Sequence, residues 1–559
     1  MRSILLFALL LILSSYLFAQ TELTLSSESS VNAQIDADRA GGSPADVYIA
    51  ESGAFYYWDA TLEVDFDLHI KGPSSDWIGA QASPPIFVPI PDGAGAIYPF
   101  AHVTSGSYKL ENLLFSGMNS AEGGDILGGF MTEVGASSVI VDNCCFCDFQ
   151  NNIMETNSAP DLISITNCLM INGVRKTSSP WGGHIGRFNT PGALIILENN
   201  TDVNCGRILG NGGNFYTSNL IENHNSIINS QTNAQELHWN QALMANNLFY
   251  NWSWLGRIPA DVAYNYSITT FETFAGLELD SVSVYWGTNL LYRDPAIKEY
   301  YDTELAAAEV SPYICWNLDV DSTILADDNT TIGKSYWDID PLFTTGPGNL
   351  PGMLDWLYYK YVDASGGWPN WLVTSPVTYD AEGQPVVSWP PEFDLSYSNE
   401  GLQIAGTDGL PLGDLNWFPD AKATYLANRE TYIAALEDSI YNATRLYVPG
   451  DPESNRILEP PQAIEDFING PREFGLSQNY PNPFNPSTSI AFKLDKAEKI
   501  SMKIYDITGQ LVKTVIDNKN YNAGAHVITI DMSKHSSGVY FTVLNNGSQN
   551  LVRKMMLIK

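Results

Sequence analysis

Three short stretches decide the fold: LENLLF at 110–115, VDNCCF at 141–146 and ITNCLM at 165–170. In each, an apolar residue, a variable residue and an asparagine precede a second run of mostly apolar residues. Related units follow as LENNTDV from Leu197, IENHNSI from Ile221 and MANNLFY from Met244. Recurrence of one unit at a nearly fixed interval is typical of repeat architectures.

The asparagine of each unit sets the period. These residues are Asn112, Asn143, Asn167, Asn199, Asn223 and Asn246, separated by 31, 24, 32, 24 and 23 residues. A period near 24, with insertions of roughly eight, is typical of a parallel β-helix whose insertions lie at turns. Asparagine tolerates left-handed backbone angles at a turn, and its amide can bond to the asparagine of the next coil. We therefore predict a structural ladder of these six residues.

Residues after the ladder asparagine alternate between the inside and the outside of the coil. This predicts an interior stack of Leu113, Cys144 and Cys168, with Phe115, Phe146 and Met170 beside it. In the units from the fourth onward, the apolar residues after the asparagine are shifted by one position relative to the first three units. The inward positions of these later units therefore do not follow directly from the pattern.

Cys144 and Cys168 fall at the same place on successive coils. This placement invites a disulfide, but direct strand neighbours fit disulfide geometry poorly, which favours a buried stack of thiols. With six cysteines in 559 residues, the chain is not a disulfide scaffold and must depend on its core.

The amino terminus has the pattern of a secretory signal peptide at 1–20. Arg2 precedes an apolar run from Ile4 to Leu13, which is too short to span a bilayer, and Ala19 is a small residue at the expected exit. No other run approaches a membrane span, so we predict no transmembrane anchor in the mature chain.

Charge divides the chain. The whole protein has 28 Lys and Arg against 63 Asp and Glu; residues 1–470 hold 17 and 57 of them, and residues 471–559 hold 11 and 6. A body this acidic repels nucleic acid and anionic lipid, so neither is an expected partner.

Between 260 and 390 the period fades and aromatic residues become frequent. An exposed subset would suit the apolar faces of sugar rings, whereas core packing would account for most of them. Residues 421–445 show helical spacing, and prolines mark a linker at 446–473.

The carboxyl-terminal 474–559 resembles the type A C-terminal sorting domain of the bacterial type IX secretion system. The residues that carry this resemblance are Pro481, Asn482, Pro483, Phe484, Asn485, Pro486, Gly509, Gly538, Tyr540 and Lys554. The resemblance implies a small β-sandwich, the type IX machinery as a partner, and passage through the periplasm to a secreted or outer-membrane-attached, cell-surface location.

The body resembles the pectin-lyase-like superfamily. Val47–Ile49, Ser52-Gly53 and Ile70-Lys71-Gly72 match an opening coil, and DIDPLF at 338–343 with 393–419 matches a closing pattern, although Ser398-Asn399-Glu400 replaces the usual Ser-Pro-Ala. The resemblance implies an all-β chain with a lead-in at 21–44 and a right-handed parallel β-helix at 45–420.

Two chemistries occur in that superfamily, as the resemblance implies. Hydrolases use paired carboxylates, and we find no compact Asn-x-Asp, Asp-Asp and Gly-His-Gly series. Lyases need a base beside a neutralised uronate carboxylate. The candidates are His184 and Arg187 within WGGHIGRFN (181–189), with Arg207 nearby; a turn held by hydrogen bonds is the structural alternative.

Glu198 and Glu222 both precede a ladder asparagine and lie 24 residues apart. Stacked outward, two such carboxylates could hold calcium, whereas solvated surface carboxylates are the simpler interpretation.

Two function classes follow. The first is an exported protein that binds polysaccharide or degrades it as a lyase. The second is a non-catalytic adhesin or structural rod. Few basic residues and the lack of a complete motif leave catalysis undecided, whereas abundant Trp and Tyr favour a carbohydrate partner.

Overall fold

The computed structural model describes residues 20–74, 83–118, 129–158, 160–174, 183–190, 194–211, 216–232, 235–236, 238–256, 258, 282–311, 329–446, 455–458, 474–479, 482 and 484–558. Residues 1–19 of the predicted signal peptide, Pro481, Pro483 and most of the predicted linker lie outside this set. The chain divides into a first unit, Met1–Ala193 with Thr374–Pro391, and a second unit, Leu194–Val373 with Glu392–Lys559.

Three parallel sheets wind along the first unit, and successive strands visit them in turn. Its first sheet contains Glu22–Thr24, Val47–Ile49, Leu68–Lys71, Ser107–Glu111, Ser138–Asp142 and Leu162–Thr166. Its second sheet contains Phe55–Trp58, Ile86–Pro89, Leu114–Ser116, Cys145–Cys147 and Leu169–Ile171. Its third sheet contains Leu62–Val64, Ala101–Val103, Met131–Glu133, Asn152–Thr156 and His184–Phe188.

The second unit repeats this arrangement. Its first sheet contains Leu194–Glu198, Tyr216–Asn223, His238–Ala245, Ser283–Gly287 and Thr330–Ile332. Its second sheet contains Thr201–Val203, Ser226–Ile228, Leu248–Tyr250, Leu290–Tyr292, Ser335–Trp337 and Arg456–Ile457. Its third sheet contains Arg207–Asn211 and Gln235–Glu236.

Helices and short antiparallel strand pairs supplement the coils. In the first unit they are the helix Val31–Ala40 and the antiparallel pair Val377–Tyr379 and Pro385–Val387. In the second unit they are the helices Pro295–Asp302, Leu350–Tyr361 and Pro419–Asn442, the 3₁₀ turns Ala306–Ala308, Leu402–Ile404 and Leu415–Trp417, and the antiparallel pair Phe343–Thr345 and Asp394–Tyr397.

The chain ends in a small antiparallel domain within the second unit. One sheet contains Gly475–Leu476, Ser487–Leu494 and Gly524–Asp531, and the other contains Glu498–Asp506, Leu511–Tyr521, Gly538–Asn545 and Asn550–Leu557. Ile490, Phe492, Met502 and Leu544 are among the buried residues of its single apolar core. The predicted all-β chain, with a parallel β-helix followed by a small β-sandwich, is confirmed.

The interior of the first unit contains a column of aromatic rings. Phe87, Phe115 and Phe146 come from successive strands of the second sheet, with ring centroids 4.9 Å and 5.4 Å apart. Met170 continues this row, in register with Phe146. Burial of such large rings is the main favourable term for a coil that has only short strands.

Ladder asparagines of the first unit occupy the turn between its first and second sheets. Asn112, Asn143 and Asn167 have φ of 61°, 52° and 56°, and the strands before them are in register. The Nδ2 of Asn143 donates to Oδ1 of Asn112 at 2.7 Å. Asn167 departs from this pattern, because its Nδ2 donates to Oδ1 of Asp142 instead.

In the second unit the ladder position is held by Asn199, His224, Asn246 and Thr288, with φ between 54° and 61°. The prediction for Asn223 is therefore wrong by one residue. Asn223 is the last residue of its strand and is in register with Glu198 and Ala245, so that His224 adopts the left-handed conformation. Asn223 still accepts from Asn246 Nδ2 at 2.9 Å.

The residue after the turn builds a second, buried ladder in the second unit. Asn200 donates to Asn225, Asn225 to Asn247, and Asn247 to Asn289, through side-chain amides at 2.9 Å, 3.0 Å and 3.1 Å. In the first unit the corresponding residues are Leu113, Cys144 and Cys168, which are buried as expected.

Cys144, Cys145, Cys147, Cys168 and Cys205 are buried thiols, and no disulfide joins them. Cys144 and Cys168 occupy equivalent places on successive strands, as the register of Cys145 with Leu169 shows. The stack of reduced thiols, rather than a disulfide, is what the structure contains at this position.

We expect Asn143→Ala to lower the free energy of unfolding of the first unit by about 2 kcal/mol. About half of this loss comes from the left-handed backbone, which the short polar side chain of asparagine tolerates and the methyl group of alanine does not, and about half from the amide bond to Asn112. Asn143→Gly keeps the backbone and should lose only the second part. Denaturant unfolding of both variants measures the difference, and equal losses would contradict this division.

Candidate functional site

The third sheet of the first unit carries one continuous row of polar side chains. Register between neighbouring strands aligns Glu63, His102, Thr132, Glu155 and Arg187. The residues on either side, such as Leu62 and Val64, or Ala101 and Val103, are buried. Because strand residues alternate between faces, the row lies on the outer face of the sheet, with neighbours about 4.8 Å apart. We call it the outer row.

Glu155 lies next to Arg187 in the outer row and is held in a fixed orientation. Its Oε2 accepts from Asn152 Nδ2 and its Oε1 accepts from Asn189 Nδ2, both at 2.9 Å. Asn189 is itself positioned by a second bond, to Oδ1 of Asn157 at 2.8 Å. A carboxylate has about four acceptor sites, so two amide donors leave Glu155 able to accept from a ligand.

His102 and Glu63 form the other end of the outer row. His102 Nδ1 lies 2.8 Å from Oε2 of Glu63, which fixes the direction of the imidazole. Both side chains remain accessible to solvent. The second ring nitrogen of His102 is therefore a polar group whose orientation is set before any ligand arrives.

Arg187, predicted as a candidate base, completes the row. It is exposed and in register with Glu155. Among the residues that the structure describes, none forms a hydrogen bond or ion pair with its guanidinium. Its donors can therefore meet a planar acceptor such as a carboxylate without first breaking an ion pair within the described chain.

The remaining predicted base candidates have described backbones only. His184 begins the strand that contains Arg187 and is in register with Asn152. Arg207 begins the strand Arg207–Asn211 of the second unit. Their side chains are outside the described part of the molecule, so the predicted roles of both stay predictions.

Glu198 is not an outward cation ligand. It is buried in the second unit, where Oε1 accepts from Tyr425 at 2.8 Å and Oε2 accepts from Arg429 at 2.6 Å. Burial favours a neutral Arg429, but the charge of Glu198 outweighs it and raises the pKa of the guanidinium. This carboxylate holds the helix Pro419–Asn442 against the coils.

Glu222 is buried too, at 1% exposure, and it is in register with Leu197 and Met244 rather than with Glu198. Neither carboxylate oxygen has a hydrogen-bond partner in the described structure. Burial raises the pKa of Glu222 to about 8. The predicted calcium pair of Glu198 and Glu222 is thus wrong, because a one-residue shift at His224 turns Glu222 into the apolar interior.

Two further groups bear on the predicted metal and sugar sites. No cluster of three or more His, Cys, Asp or Glu suited to a metal occurs within the described ranges. Among the aromatic residues of 260–390, Trp286, Trp337, Trp356 and Trp371 are buried, whereas Tyr358 is exposed. Core packing therefore explains most of these aromatic residues.

A charged cluster on the first sheet of the first unit was not predicted. His69 Nε2 lies 2.6 Å and Lys109 Nζ lies 3.0 Å from Oε2 of Glu111, and Lys71 pairs with Glu22 at 3.0 Å. Burial opposes ionisation of Glu111, but the bonds from His69 and Lys109 outweigh it and lower its pKa to about 2. Alternation in LHIK (68–71) and SYKLE (107–111) could have indicated this face. Its charges already neutralise one another, which makes the cluster less available to a ligand than the outer row.

The predicted sorting residues lie in the small C-terminal domain. Phe484 is buried and bridges to Leu557, and Asn482 Oδ1 accepts from the backbone of Met556 at 2.8 Å. Tyr540 donates to the carbonyl of Ser536 at 2.7 Å. Gly509 turns the chain with φ of 81°. The other described members are Asn485, Pro486, Gly538 and Lys554.

Comparison with known proteins adds to this picture at one end of the chain. A search of curated proteins finds no match. Among the described residues, no helix is long and apolar enough to cross a membrane. Residues 478–559 match the family model of the secretion system C-terminal sorting domain. The chain therefore ends in a type IX sorting domain, which marks it as a secreted or cell-surface protein.

Proposed function

We propose that this protein binds an extended polysaccharide outside the cell, along the outer row of the first unit. The observation that carries the proposal is the register of Glu63, His102, Thr132, Glu155 and Arg187 on five adjacent strands. Fixed acceptors and donors at regular intervals suit a polymer whose hydroxyl and carboxylate groups also recur. The resemblance of the body to the pectin-lyase-like superfamily supports the same class of ligand.

The spacing within the row favours binding over hydrolysis. Glu63 and Glu155 are three strands apart, which corresponds to roughly 14 Å. Paired carboxylates in glycosidases are about 5 Å apart for retention and at most about 9.5 Å for inversion. These two carboxylates therefore do not form a hydrolytic pair on one glycosidic bond.

A lyase reaction at the row is the second candidate function. The exposed Arg187 beside Glu155 favours it, since an arginine can contact the uronate carboxylate. Against it, His102 is three strands, or roughly 14 Å, from Arg187, so these two groups do not act on one sugar ring. Non-catalytic recognition, including adhesion to a glycan surface, fits the geometry best.

We expect Arg187→Ala to weaken binding of acidic polysaccharides about tenfold, because one charge-assisted contact contributes about 1.4 kcal/mol. Titration calorimetry against a panel of acidic and neutral glycans measures this. The control is Lys298→Ala, which removes the same charge from the exposed helix Pro295–Asp302 of the second unit. Equal affinities of the two variants, or no binding to any glycan, would refute the outer row as the site. Ultraviolet absorbance from unsaturated products during the same incubations would establish the lyase instead.

A further inference from the structure

Glu155 and Arg187 are neighbours in the outer row, yet they do not pair. They are in register on the strands Asn152–Thr156 and His184–Phe188, about 4.8 Å apart. Opposite charges that face each other on adjacent strands attract, so an ion pair is the expected contact here. Instead, both carboxylate oxygens of Glu155 accept from amides, and among the described residues the guanidinium of Arg187 has no partner. Some feature of the fold therefore keeps the two charges apart.

Two asparagine amides hold the carboxylate of Glu155. Asn152, on the same strand, donates to Oε2, and Asn189, on the next coil, donates to Oε1, both at 2.9 Å. The same Nδ2 of Asn189 donates to Oδ1 of Asn157 at 2.8 Å, which occupies both hydrogens of that amide. The backbone N–H of Asn189 donates to the carbonyl of Thr156 at 2.9 Å, so this asparagine is fixed at its main chain and its side chain. Each oxygen of Glu155 is thus bonded to an amide rather than to the guanidinium.

Arg187 is the cation of the outer row that a ligand can reach first. His102, the other candidate, already lies 2.8 Å from Oε2 of Glu63. Arg187 is exposed, so an acidic group can contact it without displacing a partner within the described chain. One strand away, Glu155 accepts from neutral amides, and no cation among the described residues offsets its charge. A group that attracts anions and a group that repels them therefore lie side by side.

We propose that Asn152 and Asn189 are positioning residues that keep Glu155 from neutralising Arg187, so that the outer row binds one acidic group and rejects a second beside it. This selectivity rests on the proposed function of the row. The ligand then belongs to one class: extended glycans whose acidic sugars are separated by neutral ones. A neutral sugar presents hydroxyls that donate to Glu155, whereas a polyuronate presents a carboxylate on every sugar and places one against Glu155. Repulsion of the wrong ligand thus adds to the specificity that attraction at Arg187 provides.

Modification of Arg187 by an arginine-selective dicarbonyl reagent tests the positioning without any glycan. Mass spectrometry of the peptide that contains Arg187 measures the rate in the full chain. A carboxylate beside a guanidinium favours the charged form of the guanidinium, which is the unreactive form. We expect Asn189→Ala to slow the modification about threefold, because the released Glu155 pairs with Arg187 for part of the time.

A second substitution shows whether Glu155 causes the slower reaction. Adding Glu155→Gln to Asn189→Ala should restore the wild-type rate, since glutamine carries no charge. Thr190→Val removes the neighbouring coil-to-coil bond to the carbonyl of Ser158 and should react like the wild type. An unchanged rate in Asn189→Ala, or a slow rate that persists in the double variant, would overturn the positioning.

Titration calorimetry with three glycans tests the selectivity: a polyuronate, a chain with one uronate per disaccharide, and a neutral chain. We expect the wild type to bind the alternating chain most tightly. Glu155→Gln should raise the affinity for the polyuronate about fivefold, the effect of removing one like charge about 4–5 Å away in water. Glu299→Gln, on the exposed side of the helix Pro295–Asp302, is the control and should change nothing. Equal or tighter binding of the polyuronate by the wild type would overturn the selectivity. Absence of binding to all three chains would refute the proposed function instead, and the modification rates would still decide the positioning.

Discussion

Deletion of residues 474–559 is expected to abolish surface delivery, with the truncated protein retained in the periplasm. The predicted amino-terminal signal reaches only that compartment, and the matched sorting domain is the part that the type IX machinery recognises. Cell fractionation, combined with protease accessibility on intact cells, measures the distribution. The expected change is close to complete, because a sorting signal acts as an address rather than as a contribution to affinity.

A matched substitution separates sorting from folding. Arg187→Ala changes the outer row and leaves the sorting domain intact, so it should reach the surface like the wild type. Circular dichroism of the purified truncated body should retain the strand signal of its parallel sheets. A folded, truncated body found at the cell surface would show that delivery does not need the sorting domain.

Glu222→Met is expected to stabilise the second unit at neutral pH by roughly 3 kcal/mol. Burial raises the pKa of Glu222 from 4.5 to about 8, so the folded state retains a proton that the unfolded chain releases. The penalty that Glu222 imposes on the free energy of unfolding is therefore absent below about pH 4.5. Above that pH it lowers the free energy of unfolding by about 1.4 kcal/mol per pH unit, up to about pH 8. Methionine removes this dependence and matches Met244, which is its neighbour in register.

Denaturant unfolding at pH 4, 6 and 8 measures this effect. The gain of Glu222→Met over the wild type should grow with pH and be smallest at pH 4. Glu299→Met, on the exposed side of the helix Pro295–Asp302, is the control and should show no such trend. Asp202 and Asp414, with pKa values raised by burial to about 8 and about 7, should leave part of the pH dependence in place. A gain independent of pH would contradict a titrating Glu222.

The repeat could be predicted from sequence because its signal is local. Asn112, Asn143 and Asn167 recur before apolar runs, and the left-handed turn needs only a residue that tolerates positive φ. Interior positions such as Leu113 and Phe115 then follow from alternation along the strand. The turn positions and the interior positions each depend on a few consecutive residues, so a single sequence is enough to predict them.

The register of the second unit could not be predicted in the same way. The left-handed residues Asn199 and His224 are 25 residues apart, whereas the asparagines Asn199 and Asn223 are 24 apart. Because the turn position holds a histidine here, counting asparagines placed the turn one residue too early. The shift moved Glu222 from the expected surface into the interior, at the level of Leu197. A buried glutamate conflicts with the usual burial preference, which is why the sequence favoured the surface.

Parts of the candidate site needed tertiary information. Arg187 was singled out from a local cluster, but its alignment with Glu155, His102 and Glu63 depends on pairings between residues that are 23 to 39 positions apart in the sequence. Because the insertions between coils differ in length, the paired residues do not recur at a fixed interval in the sequence. The partners of Glu198 come from a helix more than 220 residues away, and no pattern in the sequence links them.

The buried thiols can serve as natural probes of local unfolding. Burial raises the pKa of Cys144, Cys145 and Cys147 in the first unit and of Cys205 in the second, so these sulfurs stay protonated and unreactive while the coils are closed. A thiol-specific label can reach them only when a coil opens, and each labelled position then reports which unit opened. Mass spectrometry of labelled peptides would therefore map local unfolding along the solenoid without any introduced probe.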